Sequence, residues 1–74
     1  MARKDHSLIQ KKFGENLQKI RNDKNLSLRE LAAKCDVDDS KISKIENGKF
    51  NIALSTIIEL AKGLEIDAKE LMDF

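Results

Sequence analysis

The chain has 74 residues, 41% hydrophobic and 36% charged, with three phenylalanines, no Trp, Tyr or Pro, and a net charge of +1. That length holds one small domain whose core must be aliphatic, and a near-neutral balance does not by itself announce a polyanionic partner. No apolar run approaches the ~20 residues of a membrane helix; the single cysteine, Cys35, excludes an internal disulfide, and with the single histidine, His6, it falls short of a zinc ligand set.

Charge is nevertheless polarised along the chain. Residues 1–12 carry Arg3, Lys4, Lys11 and Lys12 against Asp5, residues 27–51 are balanced, and residues 52–74 carry Lys62 and Lys69 against five acids. A basic binding surface should therefore lie away from the C-terminus. Residues 1–7 are expected to form a basic, mobile arm, and 8–74 a single domain. The arm lacks the apolar stretch of a signal peptide, so a cytoplasmic location is expected.

The first helix is expected over about residues 8–24, with Ile9, Phe13, Leu17 and Ile20 on one face and Ser7-x-x-Gln10 as its cap. Asn25 follows it, where a left-handed residue is often needed. Ser27 and Glu30 then form a capping box, with Leu26 and Leu31 as a hydrophobic staple. A two-turn second helix lines its inner face with Leu28, Leu31, Ala32 and Cys35, a packed thiol rather than a reactive one. Asp36 is expected as a left-handed turn residue, and Asp38 as the N-cap of a third helix over about 39–46, with Ile42 and Ile45 inward.

A fourth helix carries Leu54, Ile57, Ile58 and Ala61. It starts after Ala53, a poor cap, and Gly63 is expected to end it with positive φ. Asp67-x-x-Glu70, flanked by Ile66 and Leu71, opens a short last helix. No segment alternates as a half-buried strand would. The fold class is all-α, a compact bundle of about five short helices, and the second and third are spaced as a helix-turn-helix.

The stretch from about Phe13 to Leu71 resembles the phage-repressor-like (Cro/cI, XRE) helix-turn-helix family, the lambda-repressor-like DNA-binding domains. The resemblance rests on Leu26-Ser27-x-x-Glu30-Leu31-Ala32, on Ile42-Ser43-x-Ile45-Glu46-Asn47-Gly48-Lys49, and on Leu60-Ala61-Lys62-Gly63-Leu64. It implies a transcriptional regulator that binds double-stranded DNA as a homodimer on a roughly palindromic operator, the third helix in the major groove. Carried over by position, Asp39, Ser40 and Lys44 face bases, with Lys41 and Ser43 close by. Ser27, Arg29, Asn47, Lys49 and Asn51 fall at phosphate-contacting positions. Arg21 and Glu46 match a structural ion pair that orients the reading helix.

Leu28 departs from the pattern, standing where the family often has a phosphate-contacting Gln. Asp39 departs too: a carboxylate there repels phosphates but can accept from the N4 amino group of cytosine. Apolar residues near the C-terminus suggest a homodimer seam at Leu64, Ile66, Met72 and Phe74, the alternative being that Phe74 folds back onto its own core.

No cofactor, metal site or enzyme constellation is implied: there is one His, no Gly-rich phosphate loop, and the carboxylates fall at helix caps. The alternative function is a protein-interaction module or antitoxin on the same fold, with a toxin or other protein partner. A restriction-modification controller is equally compatible.

Overall fold

The ends of the helices explain the path of the chain better than their middles. In the computed structural model, which describes residues 6–49 and 51–74, the chain forms α1 (Ser7–Asp23), α2 (Leu28–Ala33), α3 (Asp39–Glu46), α4 (Leu54–Leu64) and α5 (Ala68–Leu71), with no strand among the described residues. Residues 1–5 of the expected arm lie outside the described residues. Ser7 is not the cap of α1: His6 is, and its side chain makes no capping hydrogen bond.

α1, α3 and α4 each end by the same device, a left-handed residue that turns the chain so that the next amide reaches back to an orphan carbonyl. Asn25 takes φ 59° after α1, and the Leu26 N–H donates to the Arg21 carbonyl at 3.1 Å. Gly48 takes φ 71° after α3, and the Lys49 N–H donates to the Lys44 carbonyl at 3.0 Å.

After α4 the left-handed residue is Glu65, φ 59°, not Gly63 as expected. Gly63 sits inside the helix, where a Cβ would lie 2.9 Å from Leu31 Cδ1 and 3.1 Å from Cys35 Cβ. Its role is to let α4 approach α2. Glu65 thus bears a steric strain that a glycine would relieve, and its ion pair with Lys34 at 3.6 Å is exposed and worth little. Glu65→Gly is expected to stabilise the fold by about 0.5–1 kcal/mol after the entropy glycine adds to the unfolded chain. A melt should then show Tm rising by several degrees; an unchanged or lower Tm would contradict the strain.

The core is aliphatic around one aromatic: Phe13, Leu17, Leu31, Val37, Ile42, Ile45, Leu60, Ala61, Leu64 and Leu71. Every helix contributes, which is how such short helices are held. Periodicity overreached at the start of α1. Ile9, in the first turn of α1, is 54% exposed. Ile20, Leu28 and Ile57 pack only on the rim of the core. Leu64, expected at a dimer seam, is 1% exposed within the monomer and has no surface left for a second copy.

One polar tie closes the bundle. The Asn16 side-chain amide on α1 donates to the carbonyls of Glu70 and Leu71, at 3.0 and 2.9 Å. It satisfies the end of α5, a helix too short to be stable alone.

Candidate nucleic-acid interface

The third helix is anchored at its back and free at its front. Ile42 and Ile45 bury it against the core, and Asp38 caps it, its Oδ1 accepting from the Lys41 N–H at 2.8 Å. Asp39, Ser40 and Lys44 then point outward along one face and are exposed. Lys41 and Ser43 stand half-buried on its flanks. The Asp39 carboxylate has no partner among the described residues. Asp36 is not left-handed as expected; its N–H donates to Glu59 Oε1 at 3.1 Å, so a carboxylate on α4 holds the turn instead.

Orientation of α3 comes from the Arg21–Glu46 pair. Arg21 Nε donates to Glu46 Oε2 at 2.7 Å and Nη2 to Oε1 at 3.0 Å, a two-pronged pair buried on both sides. Arg21 Nη1 also donates to the Leu26 carbonyl at 2.7 Å. One guanidinium therefore ties the end of α3 to the loop that opens α2. The Glu46 hydrogen bonds push the Arg21 guanidinium above its ordinary pKa against the opposing effect of burial.

Gly14 carries as much of the geometry and went unnoticed in the sequence reading. A Cβ there would lie 2.6 Å from the Glu46 carbonyl oxygen and closer still to that of Ile45. The last turn of α3 rests directly on the backbone of α1. The available signal was an isolated glycine inside an amphipathic helix, which usually has a packing reason.

At the opening of α2 the capping box is complete: the Ser27 hydroxyl oxygen accepts from the Glu30 N–H at 3.0 Å, and Glu30 Oε1 accepts from the Ser27 N–H at 2.7 Å. These bonds from Ser27 hold the Glu30 carboxyl below its usual pKa, so a negative charge already occupies this end. Ser27 and Arg29 are exposed beside it, and Leu28 offers no hydrogen bond. On the other side of α3, Asn47, Lys49 and Asn51 are exposed, and Asn47 Nδ2 donates to the Ser43 carbonyl at 2.8 Å.

The helix-turn-helix family HTH_3 matches residues 17–71, the span that holds α2, α3 and both partners of the buried ion pair. The chain belongs to this family. Its relatives include the control protein C.BamHI of Bacillus amyloliquefaciens, 40% identical over 63 residues that cover 84% of this chain and 78% of that protein. The fold is similar to that of the restriction-modification controller C.AhdI from Aeromonas hydrophila, with TM-score 0.87 and 37% identity over 92% of this chain and 99% of that one. It is also similar to the controller C.Esp1396I, seen as a tetramer on its natural 35-base-pair operator, with TM-score 0.76, 27% identity, and 88% and 96% of the two chains covered.

Two further features bear on chemistry. Among the described residues no three His, Cys, Asp or Glu side chains gather where a metal ion could sit, and no helix is long and apolar enough to cross a membrane. The Cys35 thiol donates to the Leu31 carbonyl at 3.4 Å, and burial raises its pKa, which disfavours the reactive thiolate.

Proposed function

We propose that this HTH_3 chain is a sequence-specific transcriptional regulator that binds double-stranded DNA, and that it serves as a restriction-modification controller. The observation that carries the reading is α3 itself: locked from behind by Glu46 and Gly14, with Asp39, Ser40 and Lys44 on the outward face. A rigid helix with polar residues at its N-terminal end is what base edges in a major groove require. The operator complex of C.Esp1396I supports the reading by likeness. Asp39, Ser40 and Lys44 face base edges, flanked by Lys41 and Ser43. Ser27, Arg29, Asn47, Lys49 and Asn51 lie toward phosphates.

A homodimer is part of the proposal. Met72 and Phe74 are each about half exposed, with Leu54 and Ile58 exposed on one face of α4 and Ile66 partly so. Phe74 borders a groove with Lys12, Asn16 and Lys19 of α1 without being buried there. That leaves apolar surface for a second copy, and two copies would read a two-fold operator.

Selection from a random duplex pool, followed by salt titration of the best binder, tests the reading. An enriched two-fold motif and an affinity falling steeply with salt are expected; no enrichment at any salt would favour a protein partner. In the same assay Asp39→Asn should relax or change preference at one base pair, a loss of about 1–3 kcal/mol of discrimination, while raising non-specific affinity. An unchanged motif with uniformly altered affinity would remove Asp39 as a base reader.

A further inference from the structure

A groove runs between the first turns of α1 and the end of α3, lined by Ser7, Leu8, Lys11, Asn47, Gly48 and Lys49. Gly48 creates it. With φ 71° and no Cβ, it lies so close to α1 that a side chain would begin 2.9 Å from the Lys11 Cα. The Lys11 backbone is thereby held against Gly48, and Lys11 and Lys49 line the same groove.

The electrostatics are one-sided. Two lysines border the groove, and among the described residues that line it none is acidic. Among the described residues, Glu46 is buried against Arg21, and Glu15 borders a different groove with Lys12 and Lys19. No acid stands in the first turn of α1, whose positive dipole end faces the same way. The opening of α2 is the opposite case, since Glu30 already sits there and Leu28 replaces a donor.

We propose that this groove holds a DNA backbone phosphate, with Lys11 as its point charge and Asn47 and Lys49 as neighbouring donors. The proposal rests on the DNA-binding reading and extends it: a further backbone anchor is added to those at α2, at the α1–α3 junction, continuous with the face that presents Asn47 and Lys49. Lys11 is a positioning contact and carries no sequence information.

The test uses the full chain with Lys11→Gln, and Lys62→Gln on α4 as a control of equal charge. Each is titrated against the selected duplex over a range of salt, and against duplexes carrying one methylphosphonate at each position along and beyond the half-site. Lys11→Gln should weaken binding about three- to tenfold at low salt, flatten the slope of log K against log salt by about one per subunit, and leave the enriched motif unchanged. Lys62→Gln should do neither. One methylphosphonate should weaken the unmodified protein by a similar factor and have no further effect on Lys11→Gln.

Equal slopes for Lys11→Gln and the unmodified protein, or losses at every methylphosphonate that are the same in both, would overturn the proposal while leaving DNA binding intact. A protein that selects no duplex would overturn both, and retention of an acidic protein partner by the same lysines would then identify what the groove takes.

Discussion

Glu46→Ala is expected to lose about 3–5 kcal/mol of stability, because it strands the buried Arg21 charge. A domain of this size holds only about 4–11 kcal/mol in all, so the variant should be partly unfolded near physiological temperature. Urea denaturation followed by helical circular dichroism measures the loss. The double replacement Arg21→Met with Glu46→Leu separates causes. If the penalty is an uncompensated charge, the apolar pair should recover much of the loss, since well-packed hydrophobic replacements of buried ion pairs are often neutral or better. Recovery should stop short by about 1–3 kcal/mol, the cost of leaving the Leu26 carbonyl without its Arg21 donor. A Glu46→Ala loss under 1 kcal/mol would mean that water reaches the guanidinium and that the pair does little to hold α3.

Gly14→Ala comes next in size and bears more directly on the reading helix. The added methyl would meet backbone carbonyl oxygens of Ile45 and Glu46, and neither can swing aside as a side-chain tip could. Overpacking of this kind costs about 1–3 kcal/mol, sometimes more, against about 1 kcal/mol that alanine returns through helix propensity. The larger consequence is geometric. α3 must shift away from α1, carrying Asp39, Ser40 and Lys44 with it, so affinity for the selected duplex should fall even under conditions where the variant is fully folded. Gly63→Ala is the contrast: its methyl meets a leucine tip and Cys35, which can yield by a few tenths of an ångström, so its cost should be smaller and DNA affinity unchanged. Equal effects of the two on binding would mean that the Gly14 contact does not set the angle of α3.

Asp38 and Asp39 show where local chemistry suffices. A capping carboxylate needs only the amides of its own helix, so the role of Asp38 was readable from its place before an apolar period, and the structure bears it out. The Ser27–Glu30 box and the α3 boundaries were legible for the same reason. Asp39 has no such role: exposed and unpaired among the described residues, its carboxylate is left to face outward from the start of α3.

Asp36, Gly63 and Glu65 show where that reasoning stops. Glycine was the natural candidate to end α4, but the choice between Gly63 and Glu65 depended on α2 pressing against α4, and no local rule encodes a neighbour 30 residues away. Asp36 needed no left-handed turn once Glu59 supplied an acceptor from another helix. Ile9 and Leu64 erred in opposite directions, since a helical period tells which face is apolar but not how far along it the partner extends.

By itself, then, the sequence determined the five helices, the caps at Ser27 and Asp38, the helix-turn-helix spacing and the residues on the outer face of α3, because hydrogen bonds within a turn and periods of 3.6 are local. The tertiary structure decided how α3 is aimed, and of its contacts only the Arg21–Glu46 pair had been implied beforehand, by the family resemblance. The close approach at Gly14, the buried Arg21–Glu46–Leu26 junction, the Asn16 tie to α5 and the groove lined by Lys11 and Lys49 each join residues far apart in the chain. Such contacts exist only after the helices have packed, and they fix the angle and charge of the surface offered to DNA.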